Sequence, residues 1–239
     1  AEAIYAELPQ KQYAPDLADT CNNKGSALFR LGRYAEALEA FKEAEAIYAE
    51  LPQKQYAPDL ADTCNNKGSA LFRLGRYAEA LEAFKEAEAI YAELPQKQYA
   101  PDLAGTRYNK GIALAALGRY AEAVKAYEEA EAIYAELPQK QYAPDLAGTR
   151  YNKGIALAAL GRYAEAVKAY EEAEAIYADL PQEQYAHDLT GTRNNKGVAL
   201  GELGRHAEAL KAYEEAEAIC AKLPQEQYAP DLARTRNNK

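Results

Sequence analysis

Leu117-Gly118-Arg119-Tyr120-Ala121-Glu122-Ala123 decides the fold. The string Leu-Gly-Arg-Tyr/His-Ala-Glu-Ala recurs from Leu31, Leu74, Leu160 and Leu203, each start 43 residues from the last. A fixed period of this length marks an array in which each unit is one supersecondary element, stacked on its neighbours to bury an apolar face that it cannot bury alone. The full units are 15–57, 58–100, 101–143, 144–186 and 187–229, with a partial unit over 1–14 that matches 44–57 and another over 230–239. The first two full units are identical, and the third and fourth differ only at Glu136/Asp179 and Lys140/Glu183. Such sameness means recent duplication or deliberate design. Gly105 and Gly148 argue against design, since they fall inside a predicted helix, where Gly costs about 1 kcal/mol against Ala.

Within the third unit, Pro101-Asp102 is expected to start a first helix, because Pro is tolerated at the first helical position and a carboxylate suits the positive end of the dipole. That helix should run to about Leu117, where Gly118 supplies the left-handed residue that ends it. A second helix over roughly Tyr120 to Glu136 sets Tyr120, Ala123, Val124, Tyr127, Ala130, Tyr134 and Leu137 on one face, an amphipathic stripe. Pro138 stops it, and PQKQYA reads as a short polar link to the next unit. The chain is therefore expected to be all-α, one elongated α-solenoid of helix-turn-helix repeats over 1–239. Trp and Met are absent, and the large apolar side chains are mainly Leu and Tyr set among many alanines, so the core is thin and depends on close helix approach.

These residues resemble the tetratricopeptide repeat, whose pattern of small and large positions is met by Gly111, Leu114, Gly118, Tyr120, Ala123, Tyr127 and Ala130. The family's usual unit has 34 residues. The longer unit here is similar to the repeats of kinesin light chain and related bacterial arrays, whose links also end in a run like Pro101-Asp102-Leu103-Ala104. Two departures stand out. Where the family has a large apolar residue early in the first helix this chain has Cys21, Cys64, Arg107, Arg150 and Arg193, and where it has Leu this chain has Lys24, Lys67, Lys110, Lys153 and Lys196. Their stems are expected to cover apolar surface, with the charged heads in water or paired to helix glutamates.

The resemblance implies binding of an extended or helical peptide on a concave surface lined by the first helices. The matching positions in the third unit are Gly105, Tyr108, Asn109, Ile112, Ala115 and Ala116. Asn23, Asn66, Asn109, Asn152 and Asn195 form a ladder, and peptide-binding relatives use an asparagine there to hydrogen-bond the ligand backbone. An amide both donates and accepts, so it satisfies a peptide unit without reading its side chain. The alternative for the same amides is a hydrogen bond to a neighbouring helix, or solvent. Between the first and third units ten positions differ, and six fall in the first helix: Asp19/Gly105, Cys21/Arg107, Asn22/Tyr108, Ser26/Ile112, Phe29/Ala115 and Arg30/Ala116. A specificity surface over a fixed frame varies in this way, as does any surface free of packing. The first two grooves are thus expected to be polar with a Phe29/Phe72 floor, and the next two to offer Tyr108/Tyr151 beside Ile112/Ile155.

The formal charge of −9 disfavours nucleic-acid or anionic-membrane partners, which call for a basic stripe. No apolar run approaches the roughly 20 residues of a membrane span. Three cysteines, two of them copies of one repeat position, are no disulfide framework, and they fit a reducing, cytoplasmic setting. His187 and His206 lack partners at metal-ligand spacing, and neither a phosphate loop nor a nucleophile elbow is present, so the reading has no enzyme activity and no cofactor. The expected function is a protein- or peptide-binding scaffold segment of a larger repeat protein. The competing class is a spacer or self-associating rod, in which 230–239 of one molecule stacks head-to-tail on 1–14 of the next.

Overall fold

The computed structural model describes residues 10–221, so residues 1–9 of the expected partial unit 1–14, residues 222–229 of the fifth full unit and the partial unit 230–239 lie outside them. The chain divides into two compact units, Ala1–Arg119 and Tyr120–Lys239. In the first, α1 (Gln10–Arg30), α2 (Tyr34–Glu50), α3 (Gln53–Arg73), α4 (Tyr77–Glu93) and α5 (Gln96–Ala116) each pack on the next in chain order. The repeats' first helices also touch one another, α1 with α3 and α3 with α5. The second unit repeats the scheme with α6 (Tyr120–Glu136), α7 (Gln139–Ala159), α8 (Tyr163–Asp179), α9 (Gln182–Glu202) and α10 (His206–Cys220). The described residues hold helices and turns and no strand.

The Leu-Gly-Arg turn works as its sequence implies. Gly75 has φ +75°, and the amides of Gly75 and Arg76 donate to the carbonyls of Phe72 and Leu71, both at 3.0 Å, which closes the first helix in a Schellman motif. The expected second helix is reproduced at Tyr120–Glu136, with Ala123, Val124, Tyr127, Ala130 and Tyr134 all buried.

The start of the first helix corrects the sequence reading. The PQKQYA segment is not a link: α5 begins at Gln96, and Pro101 lies inside it. Pro95 takes the capping position, where its carbonyl accepts from the amides of Gln98 at 3.0 Å and Tyr99 at 3.3 Å. The early turn is anchored by Tyr99, whose ring lies 6.3 Å from that of Tyr91 in α4, and Tyr56 does the same against Tyr48 at 6.4 Å. The carbonyl that Pro101 leaves without its helical donor belongs to Lys97, an exposed residue that water reaches.

Close approach of the paired helices is set by one glycine per repeat. A Cβ on Gly68 would lie 2.6 Å from Phe84 Cε1, and one on Gly154 would lie 2.5 Å from Tyr170 Cε1, so an aromatic ring of the second helix rests directly on the backbone of the first. Small residues on both helices allow this: Ala61, Ala70, Ala80 and Ala87 are fully buried in the first unit, and Ala147, Ala156, Ala166 and Ala173 in the second.

Neighbouring repeats are joined by half-buried ion pairs that follow one rule. Lys110 and Arg107 of α5 both bond Glu88 of α4, at 2.6 and 2.9 Å. Lys153 and Arg150 converge in the same way on Glu131, and Lys196 and Arg193 on Glu174. The unusual basic residues of the first helices are thus the positive half of the stacking contact. The two cations hold the Glu131 and Glu174 carboxyls below the usual glutamate range against the opposing effect of burial.

Candidate functional site

The first helices present the positions that the sequence singles out, and in the first unit they form two adjoining pockets. One, of about 240 Å³, is lined by Ser26, Phe29 and Arg30 of α1, Phe41 of α2, and Asn66 and Ser69 of α3. The other, of about 190 Å³, is lined by Ser69, Phe72 and Arg73 of α3, Phe84 of α4, and Asn109 and Ile112 of α5, together with Phe29. The second is the first moved on by one repeat. Five expected groove residues, Phe29, Asn66, Phe72, Asn109 and Ile112, are brought together here.

The asparagine ladder has hydrogen-bond partners of its own. Asn66 Nδ2 donates to Asn22 Oδ1 at 3.4 Å, and Asn109 Nδ2 to Asn65 Oδ1 at 3.3 Å, so each amide reaches back to the preceding first helix. In the second unit Asn195 Nδ2 donates to the Tyr151 hydroxyl at 3.0 Å, whereas Asn152 donates to the carbonyl of Gly148 in its own helix at 2.9 Å. Asn23 is exposed. An amide has two donor hydrogens and two acceptor lone pairs, so the bond that Asn66 or Asn109 makes to the preceding first helix leaves capacity for a ligand. Tyr108, Tyr151 and Ile112 are half-buried and Ile155 is exposed, with the Tyr151 ring 6.1 Å from that of Tyr170.

Two further contributors, Tyr34 and Arg73, escape the sequence reading. Arg73 Nη2 donates to the Tyr34 hydroxyl at 2.8 Å, and its guanidinium sits 5.1 Å from the centre of the Tyr34 ring, a cation–π contact between repeats. Phe29 meets the same ring edge-on at 5.1 Å. The signal was present in the Arg30/Ala116 difference, but the tyrosine that holds Arg73 lies 39 residues away.

Away from this surface, Glu45, Cys64 and Glu86 bring ligand-type atoms within 4.8 Å of one another. An ammonium already stands among them, since Lys67 bonds Glu45 and lies 3.5 Å from Glu86. Burial pushes the Cys64 thiol well above its ordinary value, and the protonated sulfur faces Glu45 Oε1 at 3.6 Å.

Family models described as tetratricopeptide repeat match residues 16–93, 102–179 and 189–223. The chain belongs to the tetratricopeptide repeat family. No curated protein matches it. Among solved structures, tetratricopeptide arrays recur. The nearly identical TPR-like repeats of a Podosopora anserina chain assigned to kinesin light chain are 25% identical, with TM-score 0.71 over 87% of this chain and 97% of that one. BtubC (BKLC) from P. vanneervenii is 23% identical, with TM-score 0.74 over 87% and 81%. The apo form of RapI is 17% identical, with TM-score 0.76 over 90% and 74%. Tetratricopeptide repeats generally mediate protein–protein interaction and form a scaffold fold. No helix among the described residues is long and apolar enough to cross a membrane.

Proposed function

We propose that this chain is a protein- or peptide-binding segment of a scaffold, with its ligand seated on the surface lined by the first helices, the concave face expected of tetratricopeptide arrays. The observation that carries the reading is the pair of pockets in the first unit. Their lining draws on the positions at which repeats differ, Ser26, Phe29 and Arg30 with Ser69, Phe72, Arg73 and Ile112, over an aromatic ring, Phe41 or Phe84, that later repeats keep as tyrosine. The ladder amides of Asn23, Asn66, Asn109, Asn152 and Asn195 serve as adaptable polar contacts to the ligand backbone beside their bonds within the array. Tyr108, Tyr151, Ile112 and Ile155 give the later repeats a different ligand preference.

The reading is tested by a pull-down from a random peptide library with the wild type and with the double variant Phe29→Ala/Phe72→Ala. Alanine already stands at the equivalent positions Ala115 and Ala158, so the substitution suits the fold. Peptides retained by the wild type and lost by the variant, at unchanged helicity, are the expected result. Retention of the same peptides by both would refute it.

A further inference from the structure

Two tyrosines of the first unit pair a buried phenol with a carboxylate at the surface. Tyr48 in α2 and Tyr91 in α4 are 1% and 2% exposed, and their hydroxyls donate to Asp19 Oδ1 in α1 and Asp62 Oδ1 in α3. Both aspartates are open to water. Beside each buried ring stands a half-buried one: Tyr56 lies 6.4 Å from Tyr48, and Tyr99 lies 6.3 Å from Tyr91, centre to centre. The chain has 20 tyrosines, no Trp and no Met, and its three cysteines are buried. A one-electron oxidant arriving from water therefore meets tyrosine first.

We infer that Tyr48 and Tyr91 are radical-trapping sites, oxidised by one electron through Tyr56 and Tyr99 by oxygen-centred radicals, with Asp19 and Asp62 as the proton acceptors. This activity is independent of the proposed binding surface. A peroxyl radical takes a hydrogen atom from the Tyr99 hydroxyl, which gives a hydroperoxide and the Tyr99 phenoxyl. An electron then passes from Tyr91 to Tyr99. The Tyr91 hydroxyl proton goes to the Asp62 carboxylate and on to water, and the Tyr99 phenolate takes one proton from water, so this step leaves the proton count of the chain unchanged. Tyr48, Tyr56 and Asp19 act in the same way one repeat earlier. A phenol that has lost an electron is a strong acid, so a buried one is oxidised only where a base stands within hydrogen-bonding reach, and a positioned base speeds such a transfer by about 10²–10⁴-fold. Partial desolvation and the charge of Asp102 raise the Asp62 carboxyl above its ordinary value, which makes it a stronger base. Burial then keeps the phenoxyl from coupling with another, whereas phenoxyls at the surface meet and join as dityrosine. The equivalent positions 105, 148 and 191 are glycine and supply no carboxylate, so the pairing is a property of the first two full repeats.

Pulse radiolysis of the full chain with azide radicals, which take one electron from tyrosine, tests this through the decay of the phenoxyl absorption and the growth of dityrosine fluorescence. Two double variants are compared with the wild type at unchanged helicity. In Asp19→Asn/Asp62→Asn the amides still accept the hydrogen bond but take no proton, and Tyr48→Phe/Tyr91→Phe keeps the rings without their hydroxyls. The wild type is expected to show a slowly decaying phenoxyl fraction whose lifetime does not depend on protein concentration. Each variant is expected to shorten that lifetime by about tenfold or more and to form more dityrosine. A wild-type signal that decays wholly by second-order coupling, or a slow fraction that survives either double variant, would overturn the inference.

Discussion

Two repeats of one frame, the second full repeat in the first unit and the fourth in the second, show which parts of a tetratricopeptide unit are free to change. Phe84 over Gly68 and Tyr170 over Gly154 are geometrically interchangeable, and the glycine turn, the buried alanines and the glutamate that receives the next repeat's lysine recur in both. Much of the rest of the first helix does not recur: Asp62, Asn65, Ser69, Phe72 and Arg73, with the buried Cys64, become Gly148, Tyr151, Ile155, Ala158 and Ala159, with Arg150. Asp62 also accepts a hydrogen bond from the Tyr91 hydroxyl, a pairing that Gly148 cannot offer Tyr177. The ring-on-glycine contact is thus kept while these residues exchange, and only the Cys64/Arg150 exchange reaches the stacking contact, where Arg150 pairs with Glu131.

The shared frame is broken most severely at the aromatic position. Phe84→Ala and Tyr170→Ala are each expected to cost about 3–5 kcal/mol by emptying the volume over the glycine. Urea unfolding followed by circular dichroism checks this, and a cost confined to one unit would contradict a common frame.

A smaller effect should separate the units at the ion pairs. Glu174→Ala removes the shared partner of two half-buried cations, Lys196 and Arg193, of which Arg193 keeps Glu215 at 3.8 Å, and is expected to cost about 1–3 kcal/mol. Glu45→Ala removes a partner from Lys67 alone, because Cys64 stands where the third to fifth full repeats have arginine, and Lys67 keeps Glu86 at 3.5 Å, so the cost should be smaller. The same denaturation assay compares them, and equal losses would show that the arginine adds nothing to stacking.

Acid should sharpen the contrast further. Glu131 and Glu174 have folded values below the ordinary 4.5, so their stabilisation is complete above that value and is lost as pH falls through the folded one. Asp62 runs the other way. Burial raises its carboxyl and the charge of Asp102 adds to this, against the Tyr91 hydrogen bond, so protonation near and above the ordinary 3.8 relieves a native-state cost. Amide exchange resolved by unit should show protection falling more in the second unit than in the first as pH drops below about 4.5. The reverse order would invert the assignment of these carboxylates.

The smallest change expected is a gain. A Cβ on Gly191 would meet only the Tyr151 hydroxyl, at 3.5 Å, an ordinary contact, so Gly191→Ala should stabilise the chain by about 0.5–1 kcal/mol through helix propensity. A lower melting temperature would show that the glycine is kept for the fold.

Much of this was legible in the residues and some was not. The second helix could be placed from Tyr120 to Glu136 because its apolar stripe and the flanking Gly118 and Pro138 are local signals. The first helix was started about five residues late because Pro101 punctuates as a boundary, whereas the turn before it is held by Tyr99 on Tyr91, a contact with another helix. Pairing of the basic residues with helix glutamates was foreseeable as a type. Its addresses, 19 and 22 residues back along the chain, follow from how one repeat lies on the next.

By itself the sequence determined the period, the helical class, the glycine turns and the surface on which repeats diverge, because each rests on local conformational preference or on internal comparison. Only the tertiary structure decided that Asn66 and Asn109 first serve their neighbours, that Arg73 is held by Tyr34, and that pockets open between successive first helices. Those outcomes depend on which side chains meet across a repeat boundary, and a hydrogen bond or cation–π contact is settled by ångström-scale distances that no one-dimensional spacing contains.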